Sequence, residues 1–496
     1  MLTPISIDIA SLNFITLSPM LIAIAGALGI LIIDLLKKDL DKSLYVILTV
    51  LVLFVDLGAT LGLKINVRGF FDLVVVDGVT ILGHLLILAA SMLFIPLALT
   101  SKRFHEYAYP EFFALFLFMI AGFQFMVATD NLIMMFVGLE TASLALYTMI
   151  AMHNTVGSHE AAFKYFTMGA MAAGFFVMGS AAIYAVTGSV ELYKIAEVLQ
   201  GRMGEAGLMV TIIGGAMLIL VAIGFKVSLF PFHTWTPDVY EGSSAPMAGF
   251  MSIVPKIAMM VVAMRVLGMY IDLGADIVRN VVIALAVITM TLSNMMAIVQ
   301  SDVKRMLAYS SISHAGFVMA AIALDTTKAN SGVFLYYALF LFSNLGAFSM
   351  LWISRHKDKT HHTRFHHPYE KFAGMIHIEP FAAIIMAIFM LSLSGVPPFS
   401  LFWGKMYILS ATVDAGYIWL AIVMGLNSAI AAYYYLKLIV YMFLREAPEG
   451  SVTVYTNRSR ALEIVIGIAA VATIMALFYI QPLMNYITYL ISASGY

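Results

Sequence analysis

The chain has 496 residues, 62% of them hydrophobic and 11% charged, with a mean hydropathy of +0.96. Soluble domains are nearer half apolar and a quarter charged, so a soluble fold of this length has nowhere to put so much apolar surface, whereas a lipid bilayer does. The net charge of −1 gives no reason to expect a nucleic-acid partner, and the lack of cysteine excludes disulfides, thiolate-bound iron–sulfur clusters and a cysteine nucleophile.

The opening stretch MLTPISIDIASLNF lacks the basic region of a cleavable signal peptide, so the first hydrophobic run reads as a span. A span takes about 20 mostly apolar residues. The chain is predicted to be an all-α membrane protein with fourteen of them, their cores at 16–36, 44–63, 77–99, 109–128, 131–152, 160–187, 209–231, 245–271, 277–300, 305–325, 331–354, 375–413, 416–442 and 462–487. The twelfth is long for one helix and contains Gly395-Val396-Pro397-Pro398, which should break it. The seventh runs into Pro231 and Pro237 and is expected to be interrupted as well.

Loop charge sets the expected orientation. One alternating set of loops holds Lys37, Lys38, Lys42, Lys102, Arg103, Lys304, Arg305, Arg355, Lys357, Lys359, Arg364, Lys371, Arg445, Arg458 and Arg460; the other holds only Lys64, Arg68, Lys194, Arg202, Arg279 and Lys328. The positive-inside rule puts the first set in the cytoplasm of a bacterial inner membrane and both termini outside. The longest basic loop, SRHKDKTHHTRFHHPYEK, reads as a solvated charged segment rather than a metal site.

Spans four to eight and nine to thirteen read as two copies of one unit. EAAFKYFTMGAMAAGFFVMG and SGVFLYYALFLFSNLGAFSM carry small and aromatic residues at matching places. Each follows a Ser/Thr-rich helix and precedes one with a proline break. An odd number of spans per copy makes the copies inverted, an arrangement typical of secondary transporters. The expected organisation is an N-terminal three-helix segment (1–108), a first five-helix repeat (109–271), an inverted second repeat (277–445), and a C-terminal loop with the last span (446–496).

A charge at the bilayer centre costs at least ~2.5–3.5 kcal/mol on insertion scales, so each one calls for an explanation. Glu140 sits mid-span in LIMMFVGLETASLALYTMI, and Lys164 near the start of span six. Lys226 lies in LVAIGFKVSLFPFHTW, with His233 seven residues on, two helical turns along the same face. Lys256 follows Pro255, and Lys405 follows the break in GVPPFSLFWGK. Burial disfavours the charged form of an amine while a nearby carboxylate favours it, so a separable Glu–Lys pair is a proton switch. The bland alternative is a static ion pair tying helices together, which Lys405, without an acidic neighbour in its span, fits poorly. Asp34 and Lys304-Arg305 read as interfacial anchors, and Arg265 and Lys437 as snorkelling residues near span ends. Asp56 lies within span two, outside both repeats, and is a weaker functional candidate.

Two segments carry a family resemblance. FKVSLFPFHTWTPDVYEGSSAPMAGFMSIVPK (225–256) and DVKRMLAYSSISHAGFV (302–318) resemble the signature of the antiporter-like (Mrp-type) membrane subunits of respiratory complex I, NADH-quinone oxidoreductase. GVPPFSLFWGK looks like the N-type subunit; M-type relatives usually carry glutamate where Lys405 stands, and L-type relatives have a long lateral helix after the core. The resemblance implies redox-driven proton translocation along a hydrophilic axis of Glu140, Lys226, Lys256 and Lys405, with Lys164 and His233 as accessory polar positions. It also implies no cofactor on this chain, NADH and quinone being used elsewhere in the complex, and M-type and K-type subunits as neighbours. A subunit of an Mrp-type sodium/proton antiporter, or of a related membrane-bound hydrogenase or dehydrogenase complex, shares the fold and stands as the alternative. A membrane scaffold, of another class, would not need the buried lysines.

Overall fold

The computed structural model describes residues 12–37, 40–100, 105–202, 205–353, 356–357, 367–446, 452–453 and 459–495. The chain opens with α1 (Ser18–Leu36) and α2 (Lys42–Leu61), then a hairpin of β1 (Val67–Gly69) and β2 (Val74–Val76) with Arg68 opposite Val75. There follow α3 (Gly78–Phe94), extended by a 3₁₀ turn Ile95–Thr100, α4 (Pro110–Val127), α5 (Leu132–Ala151), α6 (Val156–Thr187), α7 (Leu192–Leu199) and α8 (Ala206–Val227). Next come α9 (Trp235–Gly242), α10 (Ala245–Met251), α11 (Val254–Asp272), α12 (Asp276–Ile298), α13 (Val303–Ile322) and α14 (Thr327–Ile353). The chain continues through β3 (His356–Lys357), α15 (Met375–Ile378), α16 (Pro380–Ser394), α17 (Ser400–Asp414), α18 (Ile418–Leu444), β4 (Val452–Thr453), α19 (Arg460–Ile474) and α20 (Ala476–Ala493).

Several helices begin where a short polar side chain takes up orphan backbone N–H groups. Asp41, Asp77, Asn131, Asp302 and Ser459 cap α2, α3, α5, α13 and α19 in this way, and Thr155 and Ser158 form a capping box on α6. α11, α13 and α14 are buried nearly all round, and α1, α2 and α18 bury one face. The outer face is apolar: Leu35, Phe54, Phe163, Ile422 and Phe478 are all more than half exposed, as a lipid-facing surface requires.

The all-helical membrane class expected from the sequence is present, and fewer than fourteen of the expected spans are single long apolar helices. Among the described residues eleven helices are long and apolar enough to cross a bilayer, or twelve if α19 and α20 form one span. The reasons are local. α16 and α17 have 15 residues each, split at Gly395–Phe399. α13 begins on Lys304-Arg305 and carries Ser310, Ser311, Ser313 and His314. The last span, expected as one helix over 462–487, bends by 79° at Met475, where the Tyr479 hydroxyl donates to the Ala472 carbonyl at 2.8 Å. A further interruption, at Ser252-Ile253 between α10 and α11, was not anticipated; Pro255 just beyond it was the available signal. Most of the histidine-rich loop lies outside the described residues.

The helix ends gather on two opposite sides. On one, Arg68 pairs with Asp130 at 2.5 Å, and Lys328 with Asp414 at 2.5 Å. On the other, Asp238 joins Lys164 at 3.0 Å and Arg305 at 3.2 Å, and Arg305 also reaches Glu241. Lys304 is not the interfacial anchor expected of it: it is buried, and its ammonium donates to the backbone carbonyls of Glu241 and Ser243. Asp34 accepts from the Tyr45 hydroxyl, and Lys437 lies over the Tyr369 ring at 4.4 Å.

Arg265 likewise does not snorkel. It is 4% exposed and forks onto Asp77 at 2.8 and 2.9 Å, donating also to Thr80 and the Val127 carbonyl. This buried pair ties the start of α3 to α11. Asp77→Ala and Arg265→Ala are each expected to cost about 3–5 kcal/mol, because each strands a buried charge, whereas the double Leu variant should lose less than either. Thermal unfolding in detergent reads this; single variants as stable as wild type would show that the pair does not join the two helices.

Candidate functional site

Glu140 and Lys226 lie on α5 and α8. α8 ends one residue after Lys226, with Ser228 in the left-handed conformation (φ +70°). The Lys226 ammonium, 5% exposed, donates to the Ser143 hydroxyl at 2.7 Å and the Tyr147 hydroxyl at 3.3 Å, and lies 4.9 Å from the centre of the Tyr165 ring. Ser143 and Tyr147 follow Glu140 by one and two helical turns, so the carboxylate shares a face with these hydroxyls. Glu140 is within electrostatic reach of Lys226, but the ammonium's hydrogen bonds go to the hydroxyls. The close seating of α5 rests on Gly122 and Gly138, whose backbones touch: a Cβ on Gly138 would lie 2.7 Å from the Gly122 carbonyl oxygen. Gly169 of α6 makes room for the Tyr147 hydroxyl.

His233 does not continue the Lys226 face. It lies in the irregular stretch between α8 and α9, half-buried, with its ring stacked on Phe230. Trp235 closes this stretch by donating to the Phe225 carbonyl at 2.9 Å, and Thr236 by donating to Ser228 at 2.7 Å.

Lys256 is 1% exposed and donates to both the carbonyl and the hydroxyl of Ser311 on α13, at 2.7 and 2.6 Å. One turn further along α13, His314 bridges two phenols, Tyr336 at 2.5 Å from Nδ1 and Tyr435 at 2.9 Å from Nε2. His314 is within electrostatic reach of both Lys256 and Lys405. The Lys405 ammonium donates to the carbonyls of Leu393 and Ser394 at 3.1 and 2.9 Å. Those are terminal carbonyls of α16, left without helical partners and carrying the helix's negative dipole end, a natural seat for a cation. The break that exposes them is made by Gly395, at φ +85°.

Lys164 stands apart. Its side chain is 40% exposed, and pairs with Glu160 at 2.7 Å and with Asp238 at 3.0 Å. These side chains, with Thr155, Glu241 and Gly242, line a cavity of about 350 Å³ at one end of the bundle. The structure therefore brings Glu140 close to Lys226 through Ser143 and Tyr147, and Lys256 close to Lys405 through Ser311 and His314. Lys164 and His233 fall outside both groups. No hydrogen bond among those described links Lys226 directly to Lys256. Sequence reasoning missed His314, although it stands inside the quoted segment SSISHAGFV; its spacing of three from Ser311 was the available signal. Chemically, amines, an imidazole, phenols and hydroxyls in buried contact are groups that pass protons. Among the described residues no group of three or more His, Asp or Glu is placed to hold a metal ion.

The family described as NADH:quinone oxidoreductase/Mrp antiporter, TM, matches residues 129–431, an interval that holds Glu140, Lys164, Lys226, His233, Lys256, His314 and Lys405. The chain belongs to this family. A relative in it, the NADH-quinone oxidoreductase subunit N of Sulfurovum sp. (strain NBC37-1), is 68% identical over 496 residues, covering 100% of each chain. Among solved structures, a chain of respiratory complex I from Thermus thermophilus with bound aureothin superposes with a TM-score of 0.77 at 28% identity, covering 94% of this chain and 98% of that one. A chain of the Mrp complex from Dietzia sp. DQ12-45-1b shares the fold, with a TM-score of 0.81 at 18% identity over 97% of both chains. The antiporter-like fold thus extends across nearly the whole chain, while the family match is confined to 129–431.

Gly395 offers a test of the Lys405 seat. A Cβ there would lie 2.9 Å from Lys405 Cδ and adopt a left-handed conformation costing about 1–2 kcal/mol. Gly416 has the same handedness (φ +84°) but faces open space. Gly395→Ala and Gly416→Ala are therefore expected to share the strain, and only Gly395→Ala should also slow proton uptake severalfold in vesicles. Equal effects would remove the Lys405 contact from the account.

Proposed function

We propose that this chain is an antiporter-like, proton-translocating subunit in the membrane arm of an NADH-quinone oxidoreductase, with protons moving along Glu140, Lys226, Lys256, His314 and Lys405. The observation that carries this reading is that three almost inaccessible ammonium groups sit at breaks or helix ends and donate their hydrogen bonds to hydroxyls and backbone carbonyls. Irregular backbone inside a membrane is tolerated only where it is buried in protein or lines a wet cavity. Lys164, with Asp238, stands at the mouth of the cavity, and His233 at the broken stretch after α8; both are accessory positions on the way in. Redox chemistry belongs to other subunits, which supply NADH oxidation and quinone reduction.

The full architecture is fourteen spans, counting α8–α9, α10–α11, α16–α17 and α19–α20 as one each and including α13. The inverted repeat, 109–271 and 277–445, is supported by a shared detail. Asn131, capping α5, forms an isolated antiparallel bridge with Glu191 after α6; Asp302, capping α13, forms one with Pro368 after α14. The two bridges lie on opposite sides of the molecule, as inversion requires. The Lys304-Arg305 side, richer in basic residues, is the cytoplasmic one, so both termini are outside a bacterial inner membrane.

Glu140 supports the need for a partner. It is only half-buried on a face of α5 whose neighbours Val137 and Leu144 are 47% and 50% exposed. A carboxylate facing lipid is costly, so another membrane subunit, of M type or K type, covers this face. Purification with redox subunits distinguishes this assembly from an Mrp-type antiporter.

Lys226→Ala and Lys405→Ala are expected to lower redox-driven proton uptake severalfold in complexes that still assemble on a native gel. Quinone reduction should slow with it. Lys→Arg should not restore uptake fully, since arginine does not release its proton. Normal uptake in both alanine variants would return these lysines to a structural role.

A further inference from the structure

Asp56 lies outside both the lysine series and the interval matched by the family. It is fully inaccessible on α2. Its hydrogen bonds come from the Gln124 amide nitrogen of α4, which spans both carboxyl oxygens at 3.0 and 2.8 Å, and from the Thr60 hydroxyl at 3.4 Å. No cationic side chain among the described residues pairs with it. α3 presents His84, α4 presents Gln124, α1 carries Asp34 at the far end engaged by Tyr45, and the 3₁₀ turn Ile95–Thr100 carries no ionisable residue.

The site is short of donors. His84 Nε2 lies 3.1 Å from the Gln124 backbone carbonyl, which only accepts, so Nε2 carries the ring proton and Nδ1 of the neutral ring is an acceptor. His84 Nδ1 and the Gln124 side-chain oxygen are both buried without a hydrogen-bond partner. One of these unmet acceptors belongs to the same amide that bonds Asp56, a carboxyl whose donors among the described residues are that amide and one distant hydroxyl. A single added proton repairs much of this, because a buried carboxylate without a cation is far costlier than a carboxylic acid.

We propose that Asp56 is a proton-binding site of the N-terminal segment, occupied at neutral pH, in which the carboxylic O–H donates to the Gln124 side-chain oxygen while the Gln124 N–H donates back to the other carboxyl oxygen. A tilt of the amide plane, which exchanges one of its two present contacts for the unmet oxygen, closes this ring. The proton held here is separate from those on the lysine series. It lies one hydrogen-bonded residue from His84, whose ring is in turn within electrostatic reach of Asp77 and Arg265.

Infrared difference spectra of the assembled complex, wild type minus Asp56→Asn, test this at pH 7 in H₂O and D₂O. The expected result is a protonated-carboxyl C=O band present in wild type and lost in the variant. Gln124→Leu should shift that band upward in frequency by freeing the acid from its amide partner. If Asp56→Asn fails to assemble, the shift in Gln124→Leu decides alone. A difference spectrum showing only carboxylate bands, or a carboxyl band unmoved by Gln124→Leu, overturns the proposal.

Discussion

An ammonium group taken from water into an apolar interior must find oxygen atoms to replace its hydration shell, and the hydrogen bonds of three buried lysines in this chain go to neutral oxygens rather than to carboxylates. Lys226 finds two hydroxyls, Lys256 a serine hydroxyl and backbone carbonyl, and Lys405 two terminal carbonyls of a helix. Only a helix that stops leaves carbonyls free, so the break at Gly395–Phe399 is the means by which Lys405 is accommodated. A carboxylate hydrogen-bonded to a buried ammonium favours its charged form, and neutral oxygen partners favour it less.

The rest of the bundle holds these seats in place. Gly122 of α4 against Gly138 seats α4 on α5, Gly169 against Tyr147 seats α5 on α6, and Gly179 against the Gly215 backbone seats α6 on α8, so the packing around the Lys226 hydroxyl partners is close. The Asp77–Arg265 pair fixes the N-terminal segment to α11, whose first turn carries Lys256. His314, hydrogen-bonded to Tyr336 and Tyr435, is within electrostatic reach of both Lys256 and Lys405 and belongs to a group that can donate and accept in either direction.

The membrane class, the breaks near Lys226 and Lys405, and the unusual cost of each buried lysine were legible because hydropathy and proline act locally. The relation of Lys226 to His233 was misread because helical spacing was extended through Val227, where the helix ends. Arg265 and Lys304 were misread for a different reason: distance from a span end says nothing about whether a partner such as Asp77, or a bare carbonyl such as that of Ser243, comes from elsewhere in the fold. The pairings Lys256–Ser311 and His314–Tyr435 join residues 55 and 121 positions apart, which periodicity does not encode.

The central claim is that protons pass through the lysines themselves. Lys256→Gln tests it most directly, because glutamine can keep a hydrogen bond to Ser311 and fill most of the space but cannot bind a proton at neutral pH. The measurement is the number of protons taken up per quinone reduced by the assembled complex in vesicles. A fall in that number, or in both rates together, is the predicted result. An unchanged ratio at an unchanged rate, with normal assembly, would contradict the account.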